Sequence, residues 1–237
     1  MKKLLLFGTL AMIVIAALRV GWIWHERQQA EKPAEAPTVH VSDDQLVVLK
    51  KFHQSSMKDA RELNGKPLWV SAAGQMLAYP ATAAHVDSSA KGLLLLGAES
   101  LHAVNFIEQK SPKGGNRIPA GERQVVMLFH RGDDAKQIYG VPVGYLDGGV
   151  YTFYLDEIFF YEDPHLLYKH WPAATWAAVD RHEAIKGMSE GQTQIALGQV
   201  SHSASTQYGN RLVEYYNDGH PIDVTYAHDA ATEIVKK

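Results

Sequence analysis

Residues 137–154 read QIYGVPVGYLDGGVYTFY. Two runs rich in β-branched and aromatic residues, Gln137–Leu146 and Val150–Tyr154, flank Asp147, Gly148 and Gly149. Paired glycines supply the positive backbone angles that a tight β-hairpin demands, so the stretch predicts two antiparallel strands joined by a short turn. Alternation along the second strand puts Tyr151, Phe153 and Leu155 on one face and Thr152, Tyr154 and Asp156 on the other.

Working outward toward the N-terminus, short runs at Leu68–Ala72, Met76–Tyr79, Leu93–Leu96, Val104–Ile107 and Gln124–His130 alternate with turn-rich segments, including the loop at Pro112–Asn116. Regularly spaced short strands of this kind predict a small twisted barrel or curled sheet. Ahead of them, Ser42, Asp43 and Asp44 form a helix start. Leu46, Leu49, Phe52, Met57, Ala60 and Leu63 follow helical spacing until Asn64 and Gly65, so a helix packing on the next domain is expected there.

Residues 26–41 are rich in Ala, Glu, Lys and Pro and read as an extended spacer. Before the spacer, Lys2 and Lys3 precede an apolar run from Leu4 that Arg19 interrupts and that ends at Trp24. A spanning helix needs about 20 apolar residues. The run meets that length, Arg19 is placed to snorkel, and Trp22 and Trp24 suit an aromatic belt. The expectation is an uncleaved single-pass anchor in a bacterial inner membrane with the body in the periplasm. The alternative is a cleaved signal and a soluble periplasmic product.

Toward the C-terminus, the pattern changes at Asp163–Pro164, Leu166, Leu167 and Tyr168 form a short turn of helix, and Pro172 begins a helix carrying Trp176 and Val179, with Ala184 or Ile185 on the same face. Ser189 with Gln192 is a capping box opening a second helix, which Gly198 is expected to close in the left-handed conformation. Strands are expected at Thr206–Tyr208, Leu212–Tyr216 and Ile222–Tyr226, with a fourth at Thr232–Val235 and a turn at Asn217–Gly219.

The run Gly187–Met188–Ser189, Gln192 and Ala196–Leu197–Gly198, with Val213–Glu214–Tyr215 and Val224–Thr225–Tyr226 at strand positions, resembles the small outer-membrane assembly lipoproteins of the BamE-like family. The resemblance covers about the last 70 residues. It implies two helices on a three-stranded antiparallel sheet and a role in protein–protein contact. The chain departs from the family at Thr193, at Val200 and at Asp229–Ala231, and it has no cysteine to carry a lipid.

Composition narrows the chemistry. A chain that is 46% hydrophobic and 21% charged folds around a core. A net charge of -3 gives no basic surface for nucleic acid. Zinc catalysis needs about three converging ligands. His165, His170 and His182 lie near Asp156, Glu157, Glu162, Asp163 and Asp180, but His182–Glu183 lacks the second histidine of His-Glu-x-x-His. Gly187–Met188–Ser189–Glu190–Gly191 matches Gly-x-Ser-x-Gly in letters, but its serine is the helix-capping Ser189, and no phosphate-cradling glycine loop is present. Aromatic residues crowd Tyr151–Trp176 and must build core or contact surface.

The sequence therefore predicts an α+β protein in four parts: an anchor (1–25), a linker (26–41), a helix plus β-rich barrel-like domain (42–162), and a BamE-like domain of two helices and a three-stranded antiparallel sheet (163–237). Its expected function is non-enzymatic binding or scaffolding of other envelope proteins. No cofactor, metal or catalytic residue is assigned. Tyr154, Trp171, Trp176, Tyr215 and Tyr216 are the expected partner contacts, and peptidoglycan is a possible further partner. The alternatives are a metal-dependent hydrolase using the His/carboxylate-rich region, and a cell-wall-binding module.

Overall fold

The computed structural model describes residues 17–27, 43–112, 122–132 and 134–237. The chain divides into two compact units, Met1–Gln45 and Leu46–Lys237. In the first, residues 17–27 form an exposed helix, α1. Most of the expected anchor and the spacer lie outside the described residues. Among the described residues no helix is long and apolar enough to cross a membrane.

The second unit begins with a departure from expectation. The helix foreseen from Ser42 to Leu63 is reduced to a 3-10 turn at Asp43–Leu46 and to α2, Met57–Arg61. Ser56 caps α2 by accepting the Asp59 N–H, which fixes the helix start ten residues beyond Leu46. Met57, Ala60 and Leu63 are buried, whereas Leu46, Leu49 and Phe52 are exposed.

An antiparallel sheet follows, curled into a half-barrel. Its strands are β1 (Pro67–Val70), β2 (Leu77–Ala81), β3 (Leu93–Leu94), β4 (Ser100–Lys110), β5 (Arg123–Arg131), β6 (Asp134–Asp147), β7 (Val150–Phe153) and β8 (Phe159–Phe160). The order is β3-β2-β6-β5-β4-β1-β8, with β7 also on β6. The hairpin of residues 137–154 forms as expected, with Gly148 and Gly149 at φ 55° and 84° in a two-residue turn. Pro142 sits within β6 opposite the bulge at Val125/Val126, between the stretches paired with β2 and β7, where a missing N–H leaves no ladder bond unmade.

One face of the sheet carries a core of Leu68, Val70, Leu101, Phe106, Met127, Phe129 and Val143, closed by α2 and by α3 (Leu155–Ile158). The other face carries a small cluster of Val86, Val126 and Leu128. The loop bearing Val86 is pinned there by Gln109, whose carboxamide accepts the Val86 N–H at 2.9 Å and donates to its carbonyl at 3.0 Å.

The remaining elements are α4 (Pro164–Leu167), α5 (Ala173–Val179), α6 (Glu190–Leu197), β9 (Ser201–His202), β10 (Leu212–Tyr215), β11 (Ile222–Ala227) and β12 (Ala230–Lys236). The sheet order is β12-β11-β10-β9. Asp163 caps α4, and the Ser189–Gln192 capping box is complete. The strand expected at Thr206–Tyr208 is a turn, and β9 takes the place beside β10. The cause is Glu190, fully buried in α6. It accepts the Gly209 N–H at 2.9 Å and both Arg211 Nε and Nη2, drawing residues 203–211 toward the helix instead of along β10.

Two cores meet at the β1–β8 edge. Val70 pairs with Phe159 and faces the first core, while Trp69 pairs with Phe160 and faces a second core of Trp171, Trp176, Val179, Met188, Ile195, Tyr215 and Val224. Successive residues of a strand point to opposite faces, so this one edge serves as a wall to both cores. The α6 C-terminus seals the junction: Gln199 N–H donates to Ala73 O at 2.8 Å, and its carboxamide donates to Ser71 O at 3.0 Å. Gly198 lies at φ 105°, ψ 161°, an extended conformation open to glycine, rather than in the expected left-handed cap, because its backbone is pressed against Ala73 and Gly74.

Candidate functional site

The expected contact residues separate into different environments. Trp171 and Trp176 are buried in the second core with ring centroids 4.8 Å apart, and Tyr168 stacks on Trp171 at 4.6 Å. Tyr215 is fully buried and shares a 2.9 Å hydroxyl contact with Tyr226. Burial pushes both phenols up, Tyr226 to about 12. Tyr154 does not lie on the face opposite Tyr151 and Phe153. Strand β7 ends at Phe153, so the backbone turns at Tyr154 into α3 and the ring packs on the same first core, 6.0 Å from Tyr145. Tyr216, which alternation divides from Tyr215, is 54% exposed at the turn beginning with Asn217.

His165 is held between two carboxylates, with Nδ1 2.9 Å from Asp163 and Nε2 3.0 Å from Asp180, and its ring stacks on Trp176 at 4.0 Å. Both ring nitrogens are engaged by side chains of the body. Among the described residues no group of three or more His, Asp or Glu side chains is arranged to hold a metal ion.

The feature that periodicity concealed is the extended strap running from Leu46 to Ser55. Its side chains Leu46 (65% exposed), Val48 (86%), Leu49 and Phe52 (54%) are all open to solvent. Four large apolar groups exposed within seven residues form a patch of the type that marks interaction sites. The strap is tied to the body between Lys50 and Gln54. Asp156, in the first turn of α3, accepts the N–H groups of Phe52 and His53 at 3.0 and 2.9 Å and the Tyr161 hydroxyl at 2.7 Å. Gln54 donates to the same hydroxyl at 3.1 Å, Phe52 meets the Tyr161 ring edge-on at 4.6 Å, and Lys50 pairs with Glu162 at 2.8 Å.

Burial raises the Asp156 pKa, but the Phe52 N–H, the Tyr161 hydroxyl and the His53 N–H outweigh it and hold the carboxyl below its ordinary value. Burial, reinforced by the bond to Asp156, pushes the Tyr161 phenol far up, keeping it a neutral donor. The sequence signal for this anchor is slight: an acidic residue at the start of α3 reads equally well as a helix-dipole partner.

The strap can make apolar contact and offers no nucleophile, acid or base aimed at a bound atom. No protein family, curated protein or solved structure matches the chain.

Proposed function

We propose that this chain is a non-enzymatic cell-envelope protein that docks another envelope protein through the strap Leu46–Phe52. The observation that carries the reading is the strap itself: Leu46, Val48, Leu49 and Phe52 stand open to solvent on a segment whose far end, at the Phe52 and His53 N–H groups, is bonded to the Asp156 carboxylate of the body. An apolar ridge tethered at one end loses less conformational freedom on binding than a free chain, which favours contact with a partner bearing an apolar groove. In this reading the apolar segment Leu4–Trp24 anchors the chain in the inner membrane, and the strap lies some twenty residues beyond it. The helices α5 and α6 ahead of the β10–β11–β12 meander support a BamE-like character for residues 163–237, to which α4 and the short edge strand β9 are additions.

The experiment is affinity purification of the full-length chain from its native membranes, alongside the combined Leu46→Ser, Val48→Ser and Leu49→Ser variant. Loss of a co-purifying envelope protein, with the thermal midpoint unchanged, is the expected result. Retention of the same protein at the same yield contradicts the proposal.

A further inference from the structure

Strand β12 is the outermost strand in the order β12-β11-β10-β9, and the direction of its backbone groups follows from the register. In an antiparallel pair, residues alternate between those that bond their opposite number and those whose N–H and C=O point away from it. The Lys237 N–H donates to the Pro221 carbonyl at 3.0 Å, which makes 237 a bonding position toward β11. Val235 opposite Asp223 and Glu233 opposite Thr225 fall in the same phase. The N–H and C=O of Ile234 and Lys236 therefore point outward, and among the described residues they have no hydrogen-bond partner.

Nearer the start of the strand the edge is closed, because Ala231 donates to the Met188 carbonyl at 2.8 Å and accepts the Gly187 N–H at 2.9 Å. The open length is Glu233–Lys237. Unpaired backbone groups along such an edge are a template for a further strand.

We propose that this edge pairs with the same edge of a second copy of the chain, joining the two four-stranded sheets into one continuous sheet. A twofold antiparallel pairing must set outward-facing groups against outward-facing groups, and satisfying all those of Ile234 and Lys236 requires Ile234 of one copy to face Lys236 of the other. The backbone alone fixes that register. It sets Val235, 46% exposed in the single chain, opposite its own counterpart as an apolar pair at the centre.

The same register sets Glu233 of each copy opposite Lys237 of the other, an opposite-charge pair at both ends. Glu233 is exposed. The Lys237 ammonium, which carries three donors, already lies on that face with Glu214 and Asp223. This charge match names a second copy as the occupant, since a strand of the same sequence running the opposite way supplies both pairs. The pairing stops at Glu233 and so clears the bonds already made at Ala231. None of these residues belongs to the strap, so this edge and the strap stand or fall separately.

The test is disulfide trapping. The chain has no cysteine, so a single introduced thiol can be bridged only to another molecule. Position 235 faces its counterpart where Cα atoms stand about 4.5 Å apart, inside the range of a disulfide. Position 233, on the same strand and face, stands roughly 14 Å from its counterpart, which is too far. Oxidation with copper–phenanthroline of the full-length chain in its native membranes is expected to link Val235→Cys into a homodimer at a yield about fivefold or more above that of Glu233→Cys. Adding Lys236→Pro removes an outward N–H and no bond to β11, so it is expected to lower the yield by about fivefold while the thermal midpoint holds. A yield from Val235→Cys no higher than from Glu233→Cys overturns the pairing, and that comparison stands even where the proline variant folds poorly. An undiminished yield in the folded Lys236→Pro variant overturns it as well, as does a mixed disulfide from position 235 to a different protein in place of the homodimer.

Discussion

The carboxylate of Asp156 receives the backbone N–H of Phe52 at 3.0 Å across 104 residues of chain. The side chain of Asp156 is only 8% exposed, and the neighbouring His53 N–H at 2.9 Å adds a second bond to the same carboxylate. An extended segment whose amides are not paired in a sheet thus acquires a fixed path. Asp156→Asn keeps one acceptor oxygen and loses the charge. It is expected to cost about 1.5–3 kcal/mol, the range for hydrogen bonds to charged groups, and to lower amide-exchange protection at Phe52 and His53 by about tenfold or more while leaving β4 and β5 protected.

The same carboxylate makes the strap acid-sensitive. The folded-state pKa of Asp156 lies below the unfolded value of about 3.9. Its stabilisation is therefore complete above that pH and is lost as the pH falls through the folded-state value. Exchange protection at Phe52 and His53, corrected for intrinsic rates, is expected to stay constant from neutrality to about pH 5 and to decline below about pH 4. In Asp156→Asn this decline should be absent.

Gly97 lies where a methyl group would stand 1.7 Å from the Ile195 carbonyl oxygen of α6. Such a contact requires backbone movement at the junction of the two cores. Gly97→Ala is expected to destabilise the second unit by about 2–3 kcal/mol, toward the upper end for overpacking. Chemical denaturation followed by tryptophan fluorescence reads this directly, since Trp69, Trp171 and Trp176 all pack at the second core.

Arg211 holds Glu190 through Nε, 3.1 and 3.2 Å from the two carboxylate oxygens, and through Nη2, while Nη1 donates to Ser205 O at 2.9 Å. Arg211→Met leaves a fully buried carboxylate without its cation, a change that costs about 3–5 kcal/mol. A fall of about 10 °C in the thermal midpoint is expected for a body of this size. Arg211→Lys, which retains the charge but not the fork, should fall between the two.

What was legible in the sequence was local. The Gly148–Gly149 turn and the Ser189–Gln192 capping box each depend on residues within a few positions, and each forms, while the short helical turn expected at Leu166–Tyr168 starts earlier, at Pro164. The elements that differ were decided by distant partners. Leu46, Leu49 and Phe52 carry helical spacing, yet Asp156 fixes that segment as a strap. Thr206–Tyr208 has strand-like composition, yet Glu190 and Arg211 turn its loop aside. Of the candidate contacts, alternation separated exposed Tyr216 from buried Tyr215, whereas nothing in the spacing of Trp171 and Trp176 revealed that they stack on each other inside the second core. Val48 went unnoticed because it lies off the helical stripe, and exposure became visible only once the segment was extended.

The most direct measurement is site-specific photo-crosslinking in living cells, with a photoreactive residue replacing Val48 and, as a control, one replacing Val150, an apolar residue outside the strap that is also well exposed, at 68%. The account predicts a discrete adduct with an envelope protein from position 48, lost when Leu46 and Leu49 are changed to serine, and none from position 150. No adduct from position 48, or the same adduct from both positions, would contradict it.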